Sequence, residues 1–233
     1  MLYLRIMFKT LSFVSAAEIS ALKQEVLNVG RSTPHLGRKF YHFMMGILCV
    51  SLYAFFLSRE AALVLLGTVG GIFMLLDIVR LKSPRLNGLI LKAFGTLMRR
   101  EELQSVSGNS FYILGLLVLV YFFPKPIVLL SALFLAVGDP VAAVVGTHWG
   151  RIRITSRKTL EGAAANFVTT ALISVSFALG YLSLELPQAL VLGLLGGAVS
   201  TVVELIPSPI DDNFTIPVGS AILLSWFALP LFN

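Results

Sequence analysis

Apolar residues in this chain form long runs separated by short polar segments. A helix that crosses a bilayer needs about 20 predominantly apolar residues, because each residue adds about 1.5 Å to its length. The pattern therefore predicts about seven membrane-spanning helices, and hence an all-α, polytopic membrane bundle. These helices cover residues 40–57, 61–79, 110–123, 127–145, 160–183, 188–206 and 216–232, and the short third one has an alternative start near Ser107.

Two further segments mix charged and apolar positions too closely for a membrane span. Residues 1–35 are predicted to form one or two helices that lie on the membrane surface, and residues 84–98 a second interfacial helix. The chain is thus divided into an N-terminal cytoplasmic or interfacial segment, 1–35, and a transmembrane domain, 36–233.

Composition supports the membrane assignment and excludes other classes. Apolar residues make up 57% of the chain and charged residues 13%, and the mean hydropathy is +0.88. A soluble domain carries about twice that share of charge. The net charge of +6 therefore indicates a basic rim facing lipid headgroups, and no nucleic-acid partner is expected. The single cysteine, Cys49, excludes an intrachain disulfide.

Basic residues are distributed unevenly between the two sides of the predicted bundle. Sixteen of the 18 lysines and arginines fall on one side, and only Arg59 and Lys125 fall on the other. The positive-inside rule then predicts a cytoplasmic N-terminus and an external C-terminus. The pattern does not specify an oligomeric state.

Acidic residues follow the same distribution, although the positive-inside rule does not require this. Six carboxylates fall at or near cytoplasmic ends of spans: Asp77, Asp139, Glu161, Glu204, Asp211 and Asp212. A carboxylate within a span costs roughly 2.5–3.5 kcal/mol on insertion scales. The group therefore indicates a functional site at that face, while ion pairing that only holds the bundle together is the alternative for each acid taken singly.

Two short segments place cations on that face. At helical spacing Arg38, Lys39 and His42 share one side of the first span. Later, Arg157, Lys158 and Thr159 precede a helix whose first turn contains Glu161. Because helix N-termini combined with Lys and Arg bind anions, this second segment predicts a phosphate site.

Two other segments carry oxygen ligands. Gly138-Asp139-Pro140 is predicted to break its span, leaving Asp139 beside exposed backbone, with a packed kink as the alternative. Asp211 and Asp212 lie in a proline-rich loop followed by Asn213. Neighbouring carboxylates repel unless a cation lies between them, so these three Asp residues are candidate ligands of Mg²⁺, which prefers oxygen.

At these residues the sequence resembles the polyprenol kinase family of membrane lipid kinases, which includes dolichol kinase, phytol kinase and CTP-dependent diacylglycerol kinase. The resemblance runs from Arg38 to about Gly219. Its elements are Arg38-Lys39-x-x-His42-x-x-x-Gly46, Ser107-Gly108-Asn109-Ser110, Gly138-Asp139-Pro140-x-Ala142-Ala143-x-x-Gly146, Lys158-Thr159-Leu160-Glu161-Gly162 and Glu204-x6-Asp211-Asp212-Asn213-x-Thr215-Ile216-Pro217.

The resemblance implies that a lipid alcohol at the cytoplasmic face receives the γ-phosphate of CTP, with Mg²⁺ as cofactor. The implied catalytic residues are Asp139, Asp211, Asp212, Lys158 and Glu161, and the three Asp residues are also the implied metal ligands. The implied nucleotide-binding residues are Arg157, Lys158, Thr159, Asn213, Arg38 and Lys39. Supporting roles are implied for His42, Asp77, Arg80, Asn109 and Glu204.

Two alternatives remain at this point. The Gly-Asp and Lys-Thr-x-Glu-Gly elements are also similar to phosphatidate cytidylyltransferase, which makes CDP-diacylglycerol from CTP. That family ends in a His-containing signature, whereas the last two spans here contain no His and carry Asp211-Asp212-Asn213 instead, which favours the kinase. The other alternative is a lipid transporter without chemistry.

Overall fold

The computed structural model of the protein describes residues 36–94, 98–99, 101–155 and 158–228, together with Ser20 and Leu231. The predicted surface helices of segment 1–35 therefore lie outside the described residues, apart from Ser20. Regular secondary structure within the described ranges is helical. It comprises α1 Leu36–Phe55, α2 Arg59–Lys82, α3 Pro84–Phe94, a 3₁₀ turn Glu101–Leu103, α4 Gly108–Phe122, α5 Lys125–His148, α6 Leu160–Gly180, α7 Leu186–Leu205 and α8 Asp212–Phe227.

Each of the seven predicted spans corresponds to one of these helices. Four, α2, α5, α6 and α7, are long and apolar enough to cross a membrane. The protein is therefore a helical membrane protein. Helix α4 is apolar but only 15 residues long, and it begins after an N-cap at Ser107, as the alternative start predicted. That α1, α4 and α8 also cross the bilayer stays a prediction.

The core of the bundle is α5. Its most apolar stretch is 67% buried, whereas the equally apolar stretch of α2 is only 11% buried. Helix α5 packs against α1, α4, α6 and α8, and α2 packs against α4. Residues such as Ile127, Leu130 and Phe134 of α5 are fully enclosed. The centre of the bundle thus holds α5 in a fixed position, and with it Asp139.

Helix α5 also corrects one prediction. The expected break at Gly138-Asp139-Pro140 is wrong, because Gly138 and Asp139 keep helical backbone angles. The chain instead forms a π-helical turn at Phe134–Gly138, in which the Asp139 N–H donates to the carbonyl of Phe134. A π turn inserts one extra residue and rotates the next part of the helix, and such turns are frequent at functional sites. The turn accommodates Pro140, which has no N–H to donate, without ending the helix.

Candidate functional site

The charged ends of the helices meet at one end of the bundle. The N-terminal ends of α1, α4, α6 and α8 lie beside the C-terminal ends of α2, α5 and α7. Ion pairs connect these ends across long sequence separations: Arg38–Glu102, Lys39–Asp139, Arg99–Asp211, Lys158–Glu204 and Lys158–Asp212. The predicted gathering of charge on one face is therefore present in three dimensions.

A cavity of about 630 Å³ opens at this end. Five helices, α1, α5, α6, α7 and α8, form its walls, together with the segment between α5 and α6 and with Arg99 from the segment between α3 and α4. Its charged and hydroxyl-bearing lining residues are Arg38, Lys39, Arg99, Asp139, Thr147, Arg153, Thr155, Lys158, Thr159, Glu204 and Asp212. We refer to it as the polar cavity.

Asp139 lies on the wall of the polar cavity contributed by α5. Its carboxylate accepts a hydrogen bond from the Lys39 ammonium group of α1. The Lys39 side chain is 22% exposed and that of Asp139 is 11% exposed. The pair therefore faces the cavity and is not sealed within the core. Gly138 permits this placement, because a Cβ there would lie 2.7 Å from a methyl carbon of Thr170 on α6.

Lys158 lies between two carboxylates on the opposite wall. Its ammonium group is 3.2 Å from Glu204 Oε1 and 3.4 Å from Asp212 Oδ2. Burial alone would lower the pKa of this group. The pKa of Lys158 is nevertheless raised, because the surrounding carboxylates favour its charged form. Lys158 is therefore a fixed positive charge on the cavity wall.

The segment before α6 holds Lys158 in place through local contacts. The Lys158 N–H donates to the Thr155 hydroxyl at 3.1 Å, and its carbonyl accepts from Ile154 at 3.0 Å. Thr159 follows as the N-cap of α6, accepting from Gly162 N–H at 3.2 Å. Its hydroxyl lines the cavity but already has this structural role. Arg157, predicted to bind nucleotide, lies outside the described residues.

Glu204 has one carboxylate oxygen without a partner among the described residues. Oε1 receives the Lys158 hydrogen bond, while Oε2 is buried and unpaired. A buried polar atom without a partner costs roughly 1–3 kcal/mol. In a residue that lines a cavity, such an atom indicates a position where a ligand group, a cation or water binds.

Asp211 and Asn213 lie behind the cavity wall. Asp211 pairs with Arg99 at 2.9 Å and accepts from the Asn213 N–H at 2.9 Å, which caps α8. The Asn213 amide donates to the carbonyl of Gly108 at 3.1 Å. Neither residue lines the polar cavity, so the structure separates Asp211 from its neighbour Asp212.

Arg38 also extends behind the cavity, where it pairs with a residue that the sequence analysis missed. Its guanidinium lies 2.6 Å from Glu102, and both side chains are almost fully buried. Glu102 accepts from Gly108 N–H at 3.1 Å as well. Glu102 is an acidic residue in a polar connecting loop, and nothing in the neighbouring sequence predicts that it pairs with Arg38. Arg99 and Arg153, which were counted only as positive-inside charges, prove to line the cavity.

Asp77 and Arg80 belong to a separate cluster, which we call the closed cluster. Arg80 donates to Asp77 at 2.6 Å, to Asn87 at 3.2 Å and to the carbonyls of Glu102 and Ser105. The second Asp77 oxygen accepts from the backbone and hydroxyl of Ser107 and from the hydroxyl of Ser110, at 2.6–2.9 Å. This network holds the loop between α3 and α4 against the end of α2.

The remaining predicted residues lie outside the polar cavity. Glu161 accepts from the N–H of Ile152 at 3.2 Å, beside the cavity. His42 is buried one turn from Lys39, with its ring centroid 5.7 Å from that of Tyr112. Asn109 lies near His42 in the lining of a second, apolar cavity. The catalytic role of Glu161 and the supporting roles of His42 and Asn109 stay predictions.

The described residues contain no group of three or more His, Cys, Asp or Glu side chains arranged to hold a metal ion. Mg²⁺ in nucleotide enzymes is usually held by one or two carboxylates together with substrate phosphates. Asp139, Glu204 and Asp212 line one cavity, and Glu204 has an unpaired oxygen. One or two of these carboxylates, completed by substrate phosphates, are the donor type that magnesium takes beside a nucleotide, so the magnesium site stays a prediction.

Comparisons with known proteins identify the class. CTP-dependent diacylglycerol kinase 1 of Saccharomyces cerevisiae is 31% identical over 207 residues, 81% of this chain and 71% of the relative. CTP-dependent diacylglycerol kinase 1 of Eremothecium gossypii is 35% identical over 212 residues, 80% of this chain and 65% of the relative. A probable chloroplastic phytol kinase of Triticum aestivum is 28% identical over 203 residues, which are 81% of this chain and 66% of the relative.

The protein is thus similar to membrane lipid kinases over most of its length. The chain belongs to the family that includes CTP-dependent diacylglycerol kinases and phytol kinases, as the sequence motifs predicted. No family model matches it, and no solved structure matches it.

Proposed function

We propose that this protein is a kinase that transfers the γ-phosphate of CTP to the hydroxyl group of a membrane lipid alcohol. The observation that carries the proposal is the polar cavity, where Lys158 lies between Glu204 and Asp212 in the same cavity as the Lys39–Asp139 pair. The names of the relatives supply the donor and the lipid class: CTP-dependent diacylglycerol kinase and phytol kinase.

Binding of the triphosphate is assigned to the cations of the cavity. Phosphoryl transfer requires mainly positioning and charge neutralisation, because charge is spread over the phosphate oxygens in the transition state. Lys158 is fixed by its neighbours, and Lys39, Arg99 and Arg153 line the same space. In this proposal Lys158 contacts the phosphates, and Glu204 and Asp212 hold its ammonium group in position.

Asp139 is proposed to accept the proton of the lipid hydroxyl. As the hydroxyl oxygen forms its bond to the γ-phosphorus, the bond from that phosphorus to the bridging β–γ oxygen breaks, and CDP leaves. The hydroxyl proton passes to the Asp139 carboxylate. Lys39 orients that carboxylate through its ion pair. Asp211, paired with Arg99, is assigned a positioning role at the start of α8.

Mg²⁺ is proposed to bind together with the nucleotide. One or two of the carboxylates of Asp139, Glu204 and Asp212 would hold it with phosphate oxygens, and it would supply further neutralisation of the phosphate charge. Glu204 Oε2, which is buried and unpaired, supports this assignment.

The polar cavity is proposed to face the cytoplasm, where CTP is available. The distribution of lysine and arginine supports this orientation, with the N-terminus inside and the C-terminus outside. In a Cys49→Ser background, a cysteine at Ser208 should react with a membrane-impermeant thiol reagent only from the cytoplasmic side, and one at Ser183 only from outside. The opposite pattern would invert the topology.

The activity is tested with purified protein, CTP or ATP, Mg²⁺ and a panel of diacylglycerol, phytol and polyprenols. We expect label from the γ-phosphate of CTP to appear on one lipid alcohol, with CDP as the second product. Transfer of label from the α-phosphate, with release of pyrophosphate, would instead identify a cytidylyltransferase. Absence of both products with all lipids and both nucleotides would refute the proposed function.

A further inference from the structure

A second cavity, of about 210 Å³, lies between α1 and α2 with α4 as its floor. Its apolar lining continues into a smaller cavity of about 60 Å³ that shares Cys49, Leu52, Leu65, Leu66 and Leu116 with it. We refer to the two together as the apolar groove. The groove follows α1 from Tyr41 to Tyr53, a rise of about 18 Å at 1.5 Å per residue.

The groove is polar mainly at one end and apolar over most of its length. Four polar lining residues, Tyr41, His42, Asn109 and Tyr112, lie at the end nearest the polar cavity, and one further tyrosine, Tyr53, lines the far end. The His42 and Tyr112 rings are in edge-to-face contact, with centroids 5.7 Å apart. The rest of the lining is aliphatic or aromatic apart from Cys49, and no charged residue is among the described residues that line it. Such a lining suits a neutral lipid with one small polar head, because an anionic headgroup would find no counter-charge there.

The polar end of the groove lies close to the proposed site, and its rim is exposed at the outer surface of the bundle. His42, at the polar end, is one helical turn from Lys39, whose ammonium group pairs with Asp139. On the other side, the rim residues Leu48 of α1 and Leu65 of α2 are 49% and 45% exposed. A lipid can therefore enter sideways between α1 and α2 without leaving the membrane.

We infer that the apolar groove binds the hydrocarbon chain of the lipid alcohol and presents its hydroxyl, past His42, to Asp139. The inference rests on the proposed function and adds the location and chemical class of the acceptor: an uncharged, long-chain alcohol bound between α1 and α2. The groove is about 18 Å long, which exceeds the roughly 15 Å depth of one leaflet, half of a hydrocarbon core of about 30 Å. Only a long chain fills a groove of that length, so the groove favours long-chain alcohols over short ones.

The groove offers a matched pair of variants on one helix. Val69 of α2 lines it, while Val64, also on α2, is 70% exposed and lines neither cavity of the groove. In full-length protein, Val69→Trp should lower kcat/KM for the lipid alcohol at least about tenfold and leave the KM for CTP within about twofold. Val64→Trp should resemble the unsubstituted protein. Equal lipid kinetics in the two variants would overturn the inference.

A second measurement depends neither on the folding of a variant nor on its catalytic turnover. The unsubstituted protein is irradiated with a long-chain alcohol that carries a diazirine on its chain, and labelled peptides are mapped by mass spectrometry. Labelling should concentrate on residues 41–53 and 65–73. Labelling spread evenly over outward faces, such as those bearing Leu172 and Leu194, would overturn the inference. If no alcohol is phosphorylated, the proposed function fails, and the labelling pattern still decides whether the groove binds an alcohol.

Discussion

The charged end of the bundle contains two polar clusters, each of which pairs acidic with basic side chains. In the closed cluster, the Asp77 carboxylate and the Arg80 guanidinium are bonded to protein groups on all sides, and their side chains are 6% and 1% exposed. In the polar cavity, Lys39 and Lys158 are each 22% exposed, and one Glu204 oxygen has no hydrogen-bond partner in the part of the chain that the structure describes. A buried acid–base pair therefore indicates chemistry only where its polar atoms are left available to a ligand.

The two clusters also differ in what they hold. The closed cluster ties the end of α2 to the loop that precedes α4, through backbone carbonyls of Glu102 and Ser105. The polar cavity joins α1, α5, α6, α7 and α8 around an open volume. We therefore expect variants of the closed cluster to change stability and variants of the cavity to change turnover.

The largest effect on activity is expected from Asp139→Asn. It keeps the side-chain shape but removes the charge that is proposed to accept the hydroxyl proton, so kcat should fall about 10²–10⁴-fold. Because the Lys39–Asp139 pair faces the cavity, the midpoint of thermal unfolding in detergent should change little. Turnover is measured as label transferred from the γ-phosphate of CTP, and a near-normal rate in this variant would rule out the role.

Lys158→Ala should give the next largest effect, about 10²-fold in kcat/KM for CTP, since a fixed charge on the phosphates is lost. Lys158→Arg keeps the charge and should recover part of the activity. An unchanged KM for CTP together with a raised KM for the lipid would assign Lys158 to lipid binding instead of nucleotide binding.

Asp77→Asn makes the same chemical change as Asp139→Asn, but in the closed cluster. It leaves Arg80 buried without its counter-charge, which typically costs about 3–5 kcal/mol. The expected result is a lower unfolding midpoint and less folded protein, with kcat per folded molecule retained within about threefold. Loss of turnover without loss of stability would place Asp77 in the catalytic machinery and remove the distinction between the clusters.

Glu161→Gln should have the smallest effect. Its carboxylate contacts the exposed backbone N–H of Ile152 and lies outside the cavity lining. From this geometry, kcat and KM should both change less than about threefold. A loss comparable to that of Asp139→Asn would support the catalytic role that the motif implied for Glu161.

The sequence was informative where a property depends on composition or local spacing. Hydropathy runs located the helices, and α4 begins directly after Ser107, near which the sequence offered a start. The spacing placed Lys158, Asp139 and Asp212 on one face of the bundle, and in the structure they line one cavity. The relatives confirm the family that the motifs indicated.

Other features depended on contacts between distant segments. Adjacent in sequence, Asp211 and Asp212 separate because the N-cap of α8 turns one toward Arg99 and the other toward Lys158. Glu102 acquires its role from Arg38, 64 residues away in the chain. Neither arrangement can be predicted from residues that are close together in the sequence.

The sequence by itself determined that this is a helical membrane protein with most of its ionisable groups at one end, because lipid excludes charge and polar backbone wherever the helices are placed. Only the tertiary structure decided which apolar helix became the core and which charges reached the cavity. Helices α2 and α5 have nearly the same hydropathy, 2.3 and 2.2, yet one faces outward and the other is enclosed. In a membrane, lipid and protein interior are equally apolar, so burial is decided by close packing between helices, which hydropathy does not record.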